Sequence, residues 1–276
     1  MYHFENASAA AIVTVKPAFR TLIGACSSSD TTPLLISLTG AGGKTATLWW
    51  LARAFAAEGK RVLVTTTTRM YLPRPDQYRQ LSLTGRIDPN HLADLPRQQE
   101  PGIHAVFAGL DAAIGKVRGL APETVDALKH SGRYDVLLVE ADGARQRLFK
   151  LPEQHEPCIP ASSDCVIAVL GSAMLDAPVT PDNMLRWDRF QALTGLKSGE
   201  RLSWQVLEPL LDHPQGLFKG TPADARRIWF INGPYQNEAA WLPALTALLP
   251  RHPSLSAIWQ GAISEAIGVR NLLTPA

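Results

Sequence analysis

The chain has 276 residues, of which 46% are apolar, and this suits one large α/β domain with an ordinary core. Its net charge is +2 and its basic residues are scattered, which argues against nucleic acid as a partner. Three cysteines in so long a chain argue against a disulfide framework. Apolar runs are too short for a transmembrane helix, and the N-terminus is a poor signal peptide, so we expect a cytoplasmic protein without membrane partners.

The predicted elements alternate between strands and helices along the chain. Strands are predicted at 34–39, 61–65, 103–108, 134–139, 165–170, 226–231 and 256–260, and helices at 44–58, 121–130 and 239–249. Residues 1–30 form a predicted N-terminal extension, residues 76–102 look irregular, and a helical insertion is predicted at about 185–222. This order predicts one α/β domain over 31–276, with a mostly parallel sheet, helices on both faces and a helical C-terminal portion.

The most informative segment joins the first strand to the first helix. Residues 38–45 read Leu-Thr-Gly-Ala-Gly-Gly-Lys-Thr, the layout of a phosphate-binding loop. Its glycines let the backbone turn its N–H groups toward an anion, and the helix adds its positive N-terminal end. Lys44 would reach the β- and γ-phosphates, and the Thr45 hydroxyl would ligate Mg²⁺. We therefore predict a P-loop NTPase-like fold with a nucleotide site at Gly40, Ala41, Gly42, Gly43, Lys44 and Thr45, and an exposed Lys44.

The loop is a short form of the pattern. Leu38 stands where the full pattern has a glycine, which leaves Gly-x-Gly-Gly-Lys-Thr. This is similar to the Gly-Thr-x-Gly-Lys-Thr loop of the ATP-dependent Mur ligases. One alternative is therefore an ATP-dependent ligase or kinase that acts on a small acid. A second alternative is a glycine-rich turn without a ligand.

Two acids follow the buried strand that ends at Val139. Glu140 and Asp142 are two positions apart, so they point the same way while the chain stays extended. Such acids hold Mg²⁺ in phosphate-loop enzymes. We assign Asp142 to the metal and Glu140 to the metal or to water activation, with the two roles interchangeable, and we expect Gly143 to turn the chain. With Lys44, these are the predicted catalytic residues; the alternative is a pair of solvated loop acids.

A threonine run, Thr65–Thr68, lies at the carboxyl end of the second predicted strand. In open α/β sheets this edge carries the ligand. We expect Thr66, Thr67 and Arg69 to line phosphates or the water shell of a metal. A β-branched strand end without a ligand is the alternative.

A proline-bracketed segment after the acid pair carries further polar side chains. Lys150, His155 and Glu156 fit either a substrate-contacting loop or a structural loop. His155, Cys158 and Cys165 could be three metal ligands, but the spacing favours core cysteines over zinc. A reactive Cys158 would need a lowered pKa and an exposed thiol.

Taken together, the motifs resemble those of the YqeC family, accessory proteins of selenium-dependent molybdenum hydroxylases. The resemblance rests on residues 38–45, 64–70, 139–144, 150–160, Arg186, 193–195 and 214–220, and covers roughly 34–232. It implies a nucleotide-binding fold and a role in maturing a selenium-containing molybdenum site, with that hydroxylase or its cofactor intermediate as partner. Mg²⁺ and ATP or GTP are the expected ligands, for hydrolysis, switching or binding alone.

The chain departs from the family at one late strand. Relatives tend to carry an Asn-Lys-x-Asp-like segment there, which reads guanine in GTPases. The corresponding residues 231–235 read Ile-Asn-Gly-Pro-Tyr, without the lysine and the aspartate. A guanine-reading role for Asn232 is therefore not expected, and ATP and GTP stay open.

Overall fold

A nine-stranded sheet organises the chain, as seen in a computed structural model that describes residues 21, 32–86, 92, 100–175, 177–234, 238–263 and 268–275. The strands are β1 (Leu34–Gly40), β2 (Arg61–Thr66), β3 (Arg69–Tyr71), β4 (Gln80–Leu83), β5 (Gly102–Phe107), β6 (Gly109–Asp111), β7 (Lys116–Arg118), β8 (Val136–Glu140), β9 (Phe149–Lys150), β10 (Cys165–Gly171), β11 (Met184–Leu185), β12 (Arg226–Asn232), β13 (Leu255–Ala262) and β14 (Gly268–Leu273). The helices are α1 (Lys44–Ala57), α2 (Pro122–His130), α3 (Trp187–Thr194), α4 (Trp204–Leu207), α5 (Pro209–Asp212) and α6 (Glu238–Leu248).

The order of the strands places the two predicted motifs side by side. The large sheet runs β14-β13-β12-β10-β1-β8-β2-β5-β4, and every pair in it is parallel except β13 with β14. Strand β8, which ends in the acid pair, therefore lies between β1 and β2. Because parallel strands end at the same edge, the loops after these three strands meet there.

Helices cover both faces of the sheet, as predicted. On one face α1 packs Leu48, Leu51 and Phe55 against Ile36 and its neighbours on adjacent strands. The alternate side chains of these strands point to the other face, where α2 packs against β1, β2 and β8. Helices α3 to α6 pack on that same face against β10, β12 and β13. The sheet is therefore buried on both sides over its centre.

The short and peripheral elements differ from expectation. The supposedly irregular stretch 76–102 contains β4, and an antiparallel three-stranded sheet, β3-β7-β6, follows the threonine run. The C-terminal portion is not mainly helical, because the antiparallel edge strand β14, which was not predicted, joins the predicted strands β12 and β13 there. Helices α3 to α5 lie within the predicted insertion. Residues 1–20 and 22–30 of the predicted extension lie outside the described residues. None of the helices in the described ranges combines the length and the apolar character that a bilayer crossing requires.

Candidate functional site

The loop between β1 and α1 has a backbone that only glycine accommodates easily. The φ angles of Gly40, Gly42 and Gly43 are 87°, 82° and 123°. A Cβ atom on Gly42 would lie 2.2 Å from the Gly171 nitrogen, and one on Gly43 would lie 2.1 Å from Asn232 Nδ2. The glycines are thus fixed both by conformation and by close neighbours.

Four consecutive backbone amides at the start of α1 have no acceptor in the described part of the chain. They belong to residues 43–46, and the first amide that donates within the helix is that of Thr47, to Gly43 O at 2.9 Å. The preceding loop amides are occupied: Ala41 donates to Val169 O, and Gly42 donates to Arg147 O. An anion would therefore meet the amides of residues 43–46 rather than those of the whole predicted loop.

Lys44 is buried, in contrast to the exposed lysine expected from the sequence. Its Nζ donates to Gly40 O at 2.6 Å and lies 3.1 Å from Asp142 Oδ1 and 3.9 Å from Glu140 Oε1. Burial alone would lower the pKa of Lys44, but the two carboxylates outweigh it and raise the pKa above its ordinary value. The lysine is a fixed, fully charged cation.

Thr45 and Glu140 form the second contact between the glycine loop and the acid strand. The Thr45 hydroxyl donates to Glu140 Oε2 at 2.7 Å, and only 6% of Glu140 is exposed. Burial raises the pKa of Glu140 above its ordinary value, although Lys44 and Thr45 pull it down. The pair places a hydroxyl and a carboxylate oxygen side by side, and both are oxygen ligands of the kind that Mg²⁺ binds.

Asp142 lies behind the loop rather than in the open cleft. Its Oδ2 accepts from the Gly40 amide at 3.0 Å and lies 3.0 Å from Lys150 Nζ, while Oδ1 faces Lys44. Only 1% of Asp142 is exposed. The alternative of two solvated loop acids is therefore wrong, and the two acids have different surroundings.

Lys150 extends this buried network to the next loop. Its Nζ donates to Gly143 O at 2.7 Å and to Glu156 Oε2 at 2.8 Å. Burial raises the pKa of Glu156, but the hydrogen bond and charge of Lys150, the backbone hydrogen bond to Glu153 and the charge of Arg186 together lower the pKa overall. Of the three residues in the proline-bracketed segment, Lys150 is buried in the network, whereas His155 and Glu156 line the cleft.

Most of the threonines that were predicted to contact phosphate instead donate hydrogen bonds to backbone carbonyl groups. The Thr65 hydroxyl donates to Val106 O, that of Thr66 to Glu140 O, and that of Thr67 to Cys158 O, each at 2.6–2.7 Å. Thr66 is fully buried. Thr68 and Arg69 reach the cleft. The run therefore holds β8 and the Cys158 loop in place, and only Thr68, together with Arg69 after the run, lines the cleft.

The loop and the acid strand open into a cleft of about 770 Å³. The cleft is lined by residues 42–45 and Glu140, by residues of β3 and β7, and by the segment 143–148, whose Arg147 O accepts from the Gly42 amide. Four cationic side chains besides Lys44 line it: Arg69, Lys116, Arg145 and Arg147. The cleft thus pairs a helix N-terminus with an excess of positive charge.

The turn after the acid pair is made by Arg145 and Gln146, not by Gly143. Their φ angles are 47° and 61°, in the left-handed region that non-glycine residues rarely adopt. Gly143 has no left-handed φ, and a Cβ placed on it would meet nothing within 4 Å. The prediction of a Gly143 turn is therefore wrong, because the chain turns two residues later, where it approaches the glycine loop.

Asn232 braces the glycine loop, a role that sequence reasoning missed. Its Nδ2 donates to Gly42 O at 2.8 Å, and its Oδ1 accepts from the Ile263 amide at 3.1 Å. Both halves of the amide are thereby used within the protein. The strand-end position of Asn232 was visible in the sequence, but its partner 190 residues away was not.

The cysteine candidates do not assemble into a metal site. Cys165 lies fully buried in β10, and burial raises its pKa well above the usual thiol range. Cys158 is half-buried, and burial together with Glu156 raises its pKa as well, which disfavours a reactive thiolate. Among the described residues, no three His, Cys, Asp or Glu side chains form a group that could hold a metal ion.

Comparison with known proteins agrees with the motif resemblance. The chain matches the family described as "YqeC protein" over residues 36–188, which include the glycine loop, the acid pair and the segment 143–148. It is 43% identical over 234 residues to a protein of Escherichia coli (strain K12) whose name is "Uncharacterized protein YqeC". That alignment covers 84% of this chain and 89% of that protein. The chain therefore belongs to the YqeC family.

Proposed function

We propose that this protein binds a nucleoside triphosphate with Mg²⁺ and hydrolyses it, or switches with it, as an accessory in the maturation of a selenium-dependent molybdenum hydroxylase. The observation that carries the nucleotide part is the Thr45–Glu140 hydrogen bond beside the free amides of residues 43–46. The cleft thereby combines the backbone amides of residues 43–46 for an anion, the cation Lys44, and the Thr45 and Glu140 oxygens for a metal. The accessory role rests on the family resemblance.

The residues present fit a magnesium–triphosphate complex. The free amides and Lys44 would hold phosphate oxygens, as backbone N–H groups and a lysine do in phosphate-binding loops. The Thr45 hydroxyl and Glu140 carboxylate would hold the Mg²⁺, whose chemistry is charge neutralisation on the phosphates. Asp142 would keep Lys44 charged and the loop closed. This assignment gives the metal to Glu140 and a positioning role to Asp142.

The binding step is tested by titrating the full chain with non-hydrolysable ATP and GTP analogues in the presence of Mg²⁺. Lys44→Met should weaken binding by about 2 kcal/mol, roughly 30-fold, because a charge-assisted phosphate contact is lost. Lys60→Met, which removes an exposed lysine in the connection between α1 and β2, is the matched control. Equal affinities for wild-type protein and a folded Lys44→Met variant would rule out this site.

The cellular role is tested in a deletion strain. We expect the molybdenum hydroxylase to be made but inactive, or to lack its labile selenium, and the purified hydroxylase would be analysed for both. Complementation of the deletion strain with the Glu140→Gln variant then tests whether nucleotide turnover is needed for an active hydroxylase. A fully active hydroxylase with normal selenium content would remove the maturation role and leave the nucleotide site intact.

A second candidate is phosphoryl transfer to a small acid, as in a ligase or kinase. The cleft volume of about 770 Å³ and the four cations that line it besides Lys44 favour it, because they leave room and charge for an acidic acceptor beside the triphosphate. Release of ADP that depends on an added acceptor would support transfer. Steady acceptor-independent release would support hydrolysis, and tight binding without release would support a binding scaffold.

A further inference from the structure

The cleft carries cationic side chains that the glycine loop does not supply. Lys44, the Mg²⁺ and the free amides on the α1 side would hold the triphosphate, and Lys44 is itself paired with Asp142 and Glu140. Arg69 lies on β3, Lys116 on β7, and Arg145 and Arg147 on the turn after the acid pair. The three arginines form no ion pair with any described residue. Their charges are therefore available to a second ligand.

The backbone that carries one of these arginines is strained. Arg145 and the adjacent Gln146 both have left-handed φ angles, which is unusual for two consecutive non-glycine residues. Such strain persists where neighbouring contacts enforce it, and it is common at ligand clamps. Here the turn is tied down by the bond from the Gly42 amide to Arg147 O at 3.1 Å. Arg145 and Arg147 are thus presented from a fixed loop.

The same walls offer apolar surface. Tyr71 is 55% exposed and Leu148 is 39% exposed, and both line the cleft. Lys116 Nζ lies 4.8 Å from the centre of the Tyr71 ring, and Gln146 Nε2 donates to Tyr71 Oη at 3.3 Å. A tyrosine whose ring is held next to a cation suits a ligand that combines a ring or apolar body with a negative charge.

The geometry points to a second binding site in the cleft, for a small organic anion that carries a phosphate or carboxylate on an apolar or ring-bearing body. Arg69 and Arg145 bind the anionic group, and Tyr71 contacts the body. The cleft volume of about 770 Å³ suits a small molecule together with a triphosphate better than a protein segment. This inference rests on the proposed function, since it takes the α1 side of the cleft to be the triphosphate site.

The test uses the full chain saturated with Mg²⁺ and a non-hydrolysable ATP analogue. Phenyl phosphate, benzoate and inorganic phosphate are then titrated separately by calorimetry. We expect one site per chain that binds an aromatic anion at least about fivefold more tightly than inorganic phosphate. Comparing phenyl phosphate with benzoate identifies the preferred anionic group.

The double variant Arg69→Gln/Arg145→Gln should weaken the aromatic anion by at least about tenfold and leave the affinity for the ATP analogue within about twofold. Arg53→Gln, which removes an exposed arginine of α1, should change neither affinity. Absence of the second binding event, or its survival in the double variant, would overturn the inference. A tenfold loss of analogue binding in the double variant would also overturn it, by placing these arginines in the triphosphate site.

Failure of the proposed function looks different. If wild-type protein does not bind the ATP analogue, the same anions are titrated into the unloaded protein. Binding that Arg69→Gln/Arg145→Gln abolishes and Lys44→Met spares would then support the anion site without the triphosphate site. Binding of a hexaglutamate peptide in place of the small anions would overturn the small-molecule assignment.

Discussion

Lys150 Nζ lies 3.0 Å from Asp142 Oδ2, with 1% of the lysine side chain and 2% of the aspartate side chain exposed. Asp142 faces Lys44 with its other oxygen, so one carboxylate joins two lysines. Glu156 pairs in turn with Lys150, so the buried ion pairs run from Lys44 through Asp142 and Lys150 to Glu156. Groups buried in this way depend on one another, because removing one leaves a charge without compensation.

Lys150→Met should destabilise the protein by about 3 kcal/mol in urea unfolding, because Asp142 and Glu156 lose their shared cation. The variant should also bind the ATP analogue about tenfold more weakly, since Asp142 then loses Lys150 and holds Lys44 more tightly, which leaves Lys44 less available to a phosphate. Lys60→Met is the control for both measurements. A loss of stability with unchanged affinity would make Lys150 structural only.

Glu140→Gln should lower nucleotide turnover by about 100-fold, or ~2.7 kcal/mol, and change analogue affinity much less. The amide keeps the shape of the side chain and still accepts from Thr45, but it is a poorer Mg²⁺ ligand. Turnover is followed by phosphate release, with Glu58→Gln on the exposed end of α1 as the control. Ordinary turnover in Glu140→Gln would contradict the metal assignment.

Asp142→Asn should behave differently from Glu140→Gln. It removes the charge between two buried lysines, so stability should fall by about 3 kcal/mol while the Thr45–Glu140 pair remains. The Asp142→Asn/Lys150→Met double variant should recover part of this loss, because it removes one charge of each sign. If Asp142→Asn is as stable as the wild type, the buried network does not carry the energy assigned to it.

His104 should make the protein less stable below neutral pH. It is fully buried, bonded to Tyr134 Oη at 2.7 Å and to Ser82 Oγ at 2.8 Å, and burial lowers its pKa to about 4. With an unfolded value of 6.5, the unfolded chain takes up a proton first as pH falls. This histidine therefore removes about 2 kcal/mol of stability between pH 7 and pH 5.

Urea unfolding at the two pH values measures this effect. His104→Gln should reduce the change between pH 7 and pH 5, whereas His130→Gln, at the exposed end of α2, should leave it unaltered. The same pH dependence in all three proteins would show that another group dominates.

Asn232→Asp should weaken analogue binding by about tenfold, because the side chain can no longer donate to Gly42 O and places a negative charge beside the loop. The acceptor for the Ile263 amide is retained, so the fold should survive. Asn271→Asp, which alters a hydrogen bond from the edge strand β14 to Gln260 on β13, is the matched control. Unaltered affinity in Asn232→Asp would mean that the brace has no influence on the loop.

The sequence predicts well those features that are local. The glycine loop, α1 and the central parallel strands follow from consecutive residues whose spacing and propensity agree. It does not predict the contacts of Lys150 or Asn232, because each acts on residues brought close only by the sheet order. It is wrong about the burial of Lys44 for the same reason. Strands of three or four residues, such as β3 and β4, carry too short a pattern to be found.

The bond from the Gly42 amide to Arg147 O connects the glycine loop with the turn that carries Arg145 and Arg147. The two segments therefore cannot shift independently while this bond is intact. If nucleotide binding moves the glycine loop, the affinity of the basic wall for its own ligand changes by some factor. Thermodynamic reciprocity then requires that ligand to change the affinity for nucleotide by the same factor. Through this one backbone hydrogen bond, the two ligands would reach the same final complex in either order of binding. The stability of the complex with one ligand would depend on which ligand binds first.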